Sequence, residues 1–121
     1  MSIPIVLVAD DEWLIADSLA MILNRSGFQA TPVHSIKEAV ETAMELKPDF
    51  LVCDVCMGGM AGIDAAIHIH NICPQCKVIL CSANLGGEAL AEGARAEGHS
   101  FEFLMKPFHP TVLLRQLKAD A

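Results

Sequence analysis

No cluster of lysine or arginine appears anywhere in this chain. Its 8 basic residues are outnumbered by 15 acidic ones, for a formal net charge of −7. Non-specific nucleic-acid binding rests on many phosphate contacts from basic side chains, so direct nucleic-acid binding by these residues is not expected. Also missing is any apolar run near the ~18 residues that span a bilayer. The opening Met1-Ser2-Ile3-Pro4 has no basic region, and the apolar run behind it breaks on three acids, unlike a signal peptide. A cytoplasmic protein without membrane contact is therefore expected. Cysteine occurs an odd five times, which in such a chain does not read as a disulfide framework. Internal repeats, linkers and low-complexity stretches are absent too. Residues 1–121 thus read as one domain, long enough to bury a core without staples.

What the chain has in quantity is short apolar runs. Hydrophobic residues make up 53% of it, a share that parallel strands buried on both faces would explain. Leu51-Val52-Cys53-Asp54 is such a run, ending abruptly on a carboxylate and bounded by Gly58, Gly59 and Gly62. The first strand, Ile3 to Ala9, likewise ends in Asp10-Asp11-Glu12. A helix can start at Asp11 or Glu12, with acids at its positive end. Leu14, Ile15, Leu19, Ile22 and Leu23 recur at helical spacing along it, and Gly27 suits its stop.

Phe28 to Val33 is a shorter and more polar strand, suited to a sheet edge. Ser35 and Glu38 form a capping box that opens a second helix, with Ile36, Ala39, Val40, Ala43 and Leu46 as its apolar stripe. Lys47-Pro48 closes that helix, because the residue before proline is pushed out of the α region. Asp49 to Cys53 is the third strand, followed by a glycine-rich turn and a helix from about Gly62 to Ile72. Lys77 to Cys81 is the fourth strand, and a small-residue helix covers roughly Glu88 to Glu97. Gly93 in its middle costs about 1 kcal/mol relative to alanine, making it the softest helix. Ser100 to Met105 is the fifth strand, and Pro110 opens a last helix carrying Val112, Leu113, Leu114 and Leu117. Five strands alternating with five helices predict right-handed βαβ units and an α/β, doubly wound parallel sheet.

Chemistry gathers at the strand ends. In a parallel sheet all carboxyl ends lie on one side, so Asp10, Asp11, Asp54, Ser82 and Lys106 share an edge. With strand order 2-1-3-4-5 the topological switch falls between the first and third strands, which centres the acids in the crevice. Carboxylates about 5 Å apart at an effective dielectric near 20 repel by roughly 3 kcal/mol per pair. A hard divalent cation removes that cost, and oxygen-only ligands suit Mg²⁺. One carboxylate can then attack phosphorus, with a lysine and a hydroxyl close by to contact the phosphoryl oxygens. The chemistry implied is formation of an aspartyl phosphate.

These residues give the chain a resemblance to response-regulator receiver domains, over essentially its whole length. The matching pieces are Asp10-Asp11, Asp54-Val55-Cys56-Met57 with Gly62 eight residues past the aspartate, Val78-Ile79-Leu80-Cys81-Ser82-Ala83, and Lys106-Pro107-Phe108. The resemblance implies a flavodoxin-like (βα)5 fold in the order 2-1-3-4-5 and a two-component or phosphorelay role, similar to chemotaxis regulators. It implies Asp54 as phosphoacceptor, and Mg²⁺ held by Asp11, Asp54 and the main-chain carbonyl of Cys56, with Asp10 reaching the ion through water. Ser82 matches the switch hydroxyl, Lys106 the phosphate-binding lysine and Phe103 the aromatic that moves with it, and the Lys106-Pro107 bond is expected to be cis. Gly98 to Lys106 is one residue longer than usual, which makes Phe101 the competitor of Phe103.

The implied donor is a sensor histidine kinase or histidine phosphotransfer protein. The implied output is a protein target on the face built from the fourth helix, fifth strand and fifth helix. Such a domain is not an enzyme beyond its own phosphorylation and dephosphorylation. The family's usual proline after Asp-x-x-Met is replaced by Gly58, followed by Gly59, so this loop is expected to be more mobile. Cys56 and Asn84 hold the positions that tune dephosphorylation.

Competing readings are weaker. A haloacid-dehalogenase-type phosphatase needs a second acid two residues past the nucleophile, where this chain has Cys56. An interaction module that keeps the fold without phosphorylation would not need Asp10, Asp11, Asp54, Ser82 and Lys106 together. Cys53-x-x-Cys56 and Cys73-x-x-Cys76, separated by sixteen residues, have a zinc-like spacing. The pairs fall at opposite ends of a helix whose ten or so residues span about 15 Å, so one zinc cannot take all four. Buried structural cysteine is expected for Cys53 and Cys81. Cys73-Pro74-Gln75-Cys76 follows a helix and precedes a strand, the wrong polarity for a thiol-redox motif. His68 and His70 stand two apart and face different directions, as solvent or flank residues rather than metal ligands.

Overall fold

A computed structural model describes residues 2–57, 62–83 and 86–120. Its strands are β1 (Ile5–Ala9), β2 (Gln29–Val33), β3 (Phe50–Asp54), β4 (Lys77–Ser82) and β5 (Glu102–Met105). Between and after them run α1 (Trp13–Arg25), α2 (Ile36–Leu46), α3 (Gly62–Ile72), α4 (Gly86–Ala96) and α5 (Pro110–Asp120). The sheet is parallel throughout, in the order β2-β1-β3-β4-β5. This is the flavodoxin-like arrangement expected. No helix among the described residues is long and apolar enough to cross a membrane.

The continuous apolar runs are accounted for by helices on both faces. Leu7, Ala9, Leu51, Cys53, Val78 and Leu80 face one core with α2, α3 and α4. Val6, Val8, Phe50, Val52, Ile79 and Cys81 alternate into the other, under α1 and α5. Period-two alternation between two apolar layers leaves no polar face to show in the sequence. β2 is an edge, as expected, and it tolerates Pro32 there. Asn24 in α1 holds it, donating to the Ala30 carbonyl at 3.0 Å and accepting the Ala30 N–H at 2.8 Å.

Three local expectations need correction. α1 buries Ala16, Leu19, Ala20 and Leu23, while Leu14 is 80% exposed and Ile15 lies at the surface. Alanines, not the largest apolar side chains, let this helix lie close to the sheet. The capping box forms only half: Ser35 Oγ accepts the Glu38 N–H at 3.1 Å, but the Glu38 carboxylate takes the His34 N–H at 2.7 Å. β5 begins at Glu102 rather than Ser100, since the Phe101 N–H turns to the His99 carbonyl at 2.9 Å instead of the ladder. α2 ends as expected before Pro48, with Lys47 in a left-handed conformation at φ 49°.

Candidate functional site

The carboxyl ends of β1, β3, β4 and β5 deliver their residues to one crevice. Asp10, immediately past β1, is 3% exposed; its carboxylate accepts the Glu12 N–H at 3.0 Å and the Lys106 ammonium at 2.6 Å. That N–H belongs to the residue preceding α1, so Asp10 fixes the helix entry while facing inward. Asp11 is exposed. Asp54 ends β3 at 8% exposure, with one oxygen accepting the Cys56 N–H at 3.2 Å and the other 3.7 Å from Lys106 Nζ. Oxygens of Asp10, Asp11 and Asp54 all lie within 4.8 Å of one another.

Backbone pairing carries the flank. Val55 N–H donates to the Cys81 carbonyl at 2.9 Å, and Lys106 N–H to the Ser82 carbonyl at 2.8 Å. Ser82 is fully buried, and its Oγ stands 3.8 Å from Cys56 Sγ. The Lys106-Pro107 bond is cis, as expected. Gly62 meets a steric demand: a Cβ there would fall 2.0 Å from the Asp54 carbonyl oxygen, so no other residue fits this approach.

Electrostatics follow from this crowding. Burial raises the Asp54 pKa above the ordinary carboxylate range; Lys106 opposes the shift and the charges of Asp10 and Asp11 add to it. Burial works against the charge of Lys106, but its hydrogen bond to Asp10 and the nearby Asp54 outweigh it, leaving its pKa raised. Three carboxylates against one ammonium make an oxygen-only, anionic crevice, a donor set that fits a hard divalent cation such as Mg²⁺.

Among the described residues, the implied site residues Asp10, Asp11, Asp54, Cys56, Ser82, Lys106 and Phe103 lie at this end, and Phe101 does not. Phe101 is buried at the opposite end, its ring 5.4 Å from those of both His70 and His99. Phe103 is half-buried and lies beside Ser82 and the start of α4. Cys53 and Cys81 are buried as expected, and burial pushes the Cys81 thiol up to about 12. Cys73-Pro74-Gln75-Cys76 is an ordinary turn with the Cys76 N–H on the Cys73 carbonyl at 2.9 Å. His68 is exposed, but His70 is half-buried with its Nδ1 2.7 Å from His99 Nδ1, a partner 29 residues away that no local spacing reveals. Gly58, Gly59 and Asn84 lie outside the described residues. Gly87, at the start of α4, was not singled out from the sequence, where nothing separates it from Gly86.

The chain's likeness to known proteins matches this geometry. It is 37% identical over 113 residues to the chemotaxis protein CheY of Thermotoga maritima, covering 93% of this chain and 92% of that protein. A CheY-like receiver domain from Methanospirillum hungatei superposes with a TM-score of 0.84 at 24% identity, covering 98% of this chain and 94% of that one. A response regulator from Burkholderia pseudomallei, solved with a phosphorylated aspartic acid, a calcium ion and citrate, gives 0.82 at 23% identity over 97% and 72% of the two chains. The family model of the response regulator receiver domain matches residues 6–118, and with the acids gathered at the sheet's switch point, this chain belongs to that family.

Proposed function

We propose that Asp54 is a phosphoacceptor, phosphorylated in a Mg²⁺-dependent reaction by a histidine kinase or a histidine phosphotransfer protein. One observation carries the reading. A single Asp54 oxygen accepts the Cys56 N–H at 3.2 Å while the other faces Lys106 at 3.7 Å, inside a 4.8 Å cluster with Asp10 and Asp11. The carboxylate is thereby aimed and paired at the end of β3.

In the transfer, a P–O bond forms on Asp54 as the P–N bond of the donor phosphohistidine breaks. Lys106 contacts the incoming phosphoryl oxygens, releasing part of its hold on the buried acids. Asp11, Asp54 and the main-chain carbonyl of Cys56 would hold Mg²⁺, with Asp10 acting through water. When bound, the ion neutralises the charge that gathers on the phosphoryl oxygens. Ser82 then turns its hydroxyl to the phosphoryl group, Phe103 follows, and the α4-β5-α5 face changes its population toward a form that binds a target protein. A differential contact of a few kcal/mol is enough to invert such an equilibrium. The domain is a signalling switch whose chemistry is confined to its own aspartate.

Titration with Mg²⁺ by calorimetry tests the site. One binding event in the wild type that weakens at least tenfold in Asp11→Asn supports the reading. A wild type that binds no Mg²⁺ leaves a receiver fold working through protein contact alone.

A further inference from the structure

Three glycines stand in the eleven residues of α4, a helix that each of them weakens. Gly86 and Gly93 have open space where a side chain would be, so packing requires neither. Gly87 is different. It is buried, and a Cβ built on it would lie 2.6 Å from Ser82 Cβ, 2.9 Å from Ser82 Oγ and 2.9 Å from Phe103 Cε1. Real Cβ atoms essentially never approach heavy atoms so closely. The first turn of α4 therefore rests directly on the two side chains to which the proposed function gives movement.

We propose that Gly87 is the positioning residue through which the state of Ser82 and Phe103 reaches α4. This rests on the phosphoacceptor reading of Asp54 and extends it to one contact. Ser82 is anchored to the neighbouring strand, since it pairs with Met105 and its carbonyl takes the Lys106 N–H at 2.8 Å. Its hydroxyl can turn, but its Cα and Cβ stay with the sheet. When the hydroxyl leaves for a phosphoryl group on Asp54, the space beside Gly87 loses one occupant, and the Phe103 ring is at its border. The backbone of α4 senses this exchange at contact distance because no side chain stands between. With a methyl group at residue 87 the anchored Ser82 cannot yield, so the helix start must. α4 would then stand off from Ser82 whether or not Asp54 carries phosphate, and the helix would stop reporting on the site.

The test uses beryllofluoride with Mg²⁺ as the stand-in for the phosphoryl group, and amide hydrogen exchange over residues 86–91 as the readout. In the wild type, protection there is expected to change by about 5- to 150-fold on adding the complex, the usual size of an allosteric coupling. Gly87→Ala is expected to lose that response while still taking one phosphoryl group from acetyl phosphate, because the atoms nearest an added Cβ belong to Ser82 and Phe103 rather than to Asp54. Gly93→Ala, in open space, is expected to keep both. A wild type whose residues 86–91 do not respond overturns the proposal without any variant, which covers the case of a Gly87→Ala protein that does not fold. A folded Gly87→Ala protein with an intact response overturns it as well. A wild type that takes no phosphoryl group removes the reading of Asp54 and this inference with it, a failure distinct from the other two.

Discussion

Replacing the proposed phosphoacceptor with its neutral isostere, Asp54→Asn, should make this protein more stable, and the structure gives the size of the effect. Oxygens of the three aspartates lie within 4.8 Å, and Lys106 is 3.7 Å from Asp54. At an effective dielectric near 20, each carboxylate pair repels by about 3.5 kcal/mol and the lysine attracts Asp54 by about 4.5 kcal/mol. Two repulsions against one attraction leave the ionised Asp54 unfavourable by about 2–3 kcal/mol, and its burial adds in the same direction. Salt screening lowers the figure, so about 1–3 kcal/mol of stabilisation is expected in EDTA at pH 7. For a domain this size each kcal/mol moves the Tm by about 3–6 °C.

The pH dependence has a definite sign. The folded-state pKa of Asp54 is raised above its ordinary 3.8. Folding is therefore helped by protonation, and the penalty grows as pH rises from the unfolded value through the folded one. The advantage of Asp54→Asn should vanish near pH 4 and reach its full value above the folded pKa. Mg²⁺ should erase or reverse it by binding the wild type alone. Thermal melts followed by circular dichroism across pH, with and without Mg²⁺, measure all of this. A lower Tm for Asp54→Asn in EDTA at pH 7, or a gain that does not fade on acidification, refutes the reasoning.

Other perturbations follow from named contacts. Gly62→Ala should cost at least about 3 kcal/mol in denaturant melts, since its Cβ would meet the Asp54 carbonyl oxygen at 2.0 Å. Gly93→Ala, in open space, should instead gain up to about 1 kcal/mol. Lys106→Met should bind Mg²⁺ more tightly by calorimetry, because a cation 2.6 Å from Asp10 is removed, yet accept phosphate more slowly. Burial and the neighbouring His99 hold the His70 pKa below its usual 6.5. The unfolded chain then takes up the proton first, so stability should fall as pH drops below 6.5, and His70→Gln should flatten that part of the profile.

Much of the architecture was legible because the chain keeps its rules locally. Apolar runs ending at Asp54 and Asp10 give both the strands and the edge on which they converge, and Lys106 before Pro107 marks the matching end of β5. Lys47-Pro48 stops α2 for a reason the sequence states. What was not legible depends on tertiary distance. The face of α1 is set by how closely Ala16 and Ala20 approach the sheet, which the larger Leu14 and Ile15 obscured. Phe103 lies beside Ser82 and the start of α4 while Phe101 packs against a histidine pair formed from residues 29 apart, a difference no local spacing states. Gly87 and Gly93 look alike in sequence, and only the atoms opposite them tell a required glycine from a dispensable one.

The central claim, that Asp54 accepts a phosphoryl group, is tested most directly by intact mass after incubation with acetyl phosphate, with and without Mg²⁺, alongside Asp54→Ala. The account predicts a single phosphoryl adduct that requires Mg²⁺ and is absent from the variant. No adduct at saturating Mg²⁺, or an adduct that persists in Asp54→Ala, would contradict it.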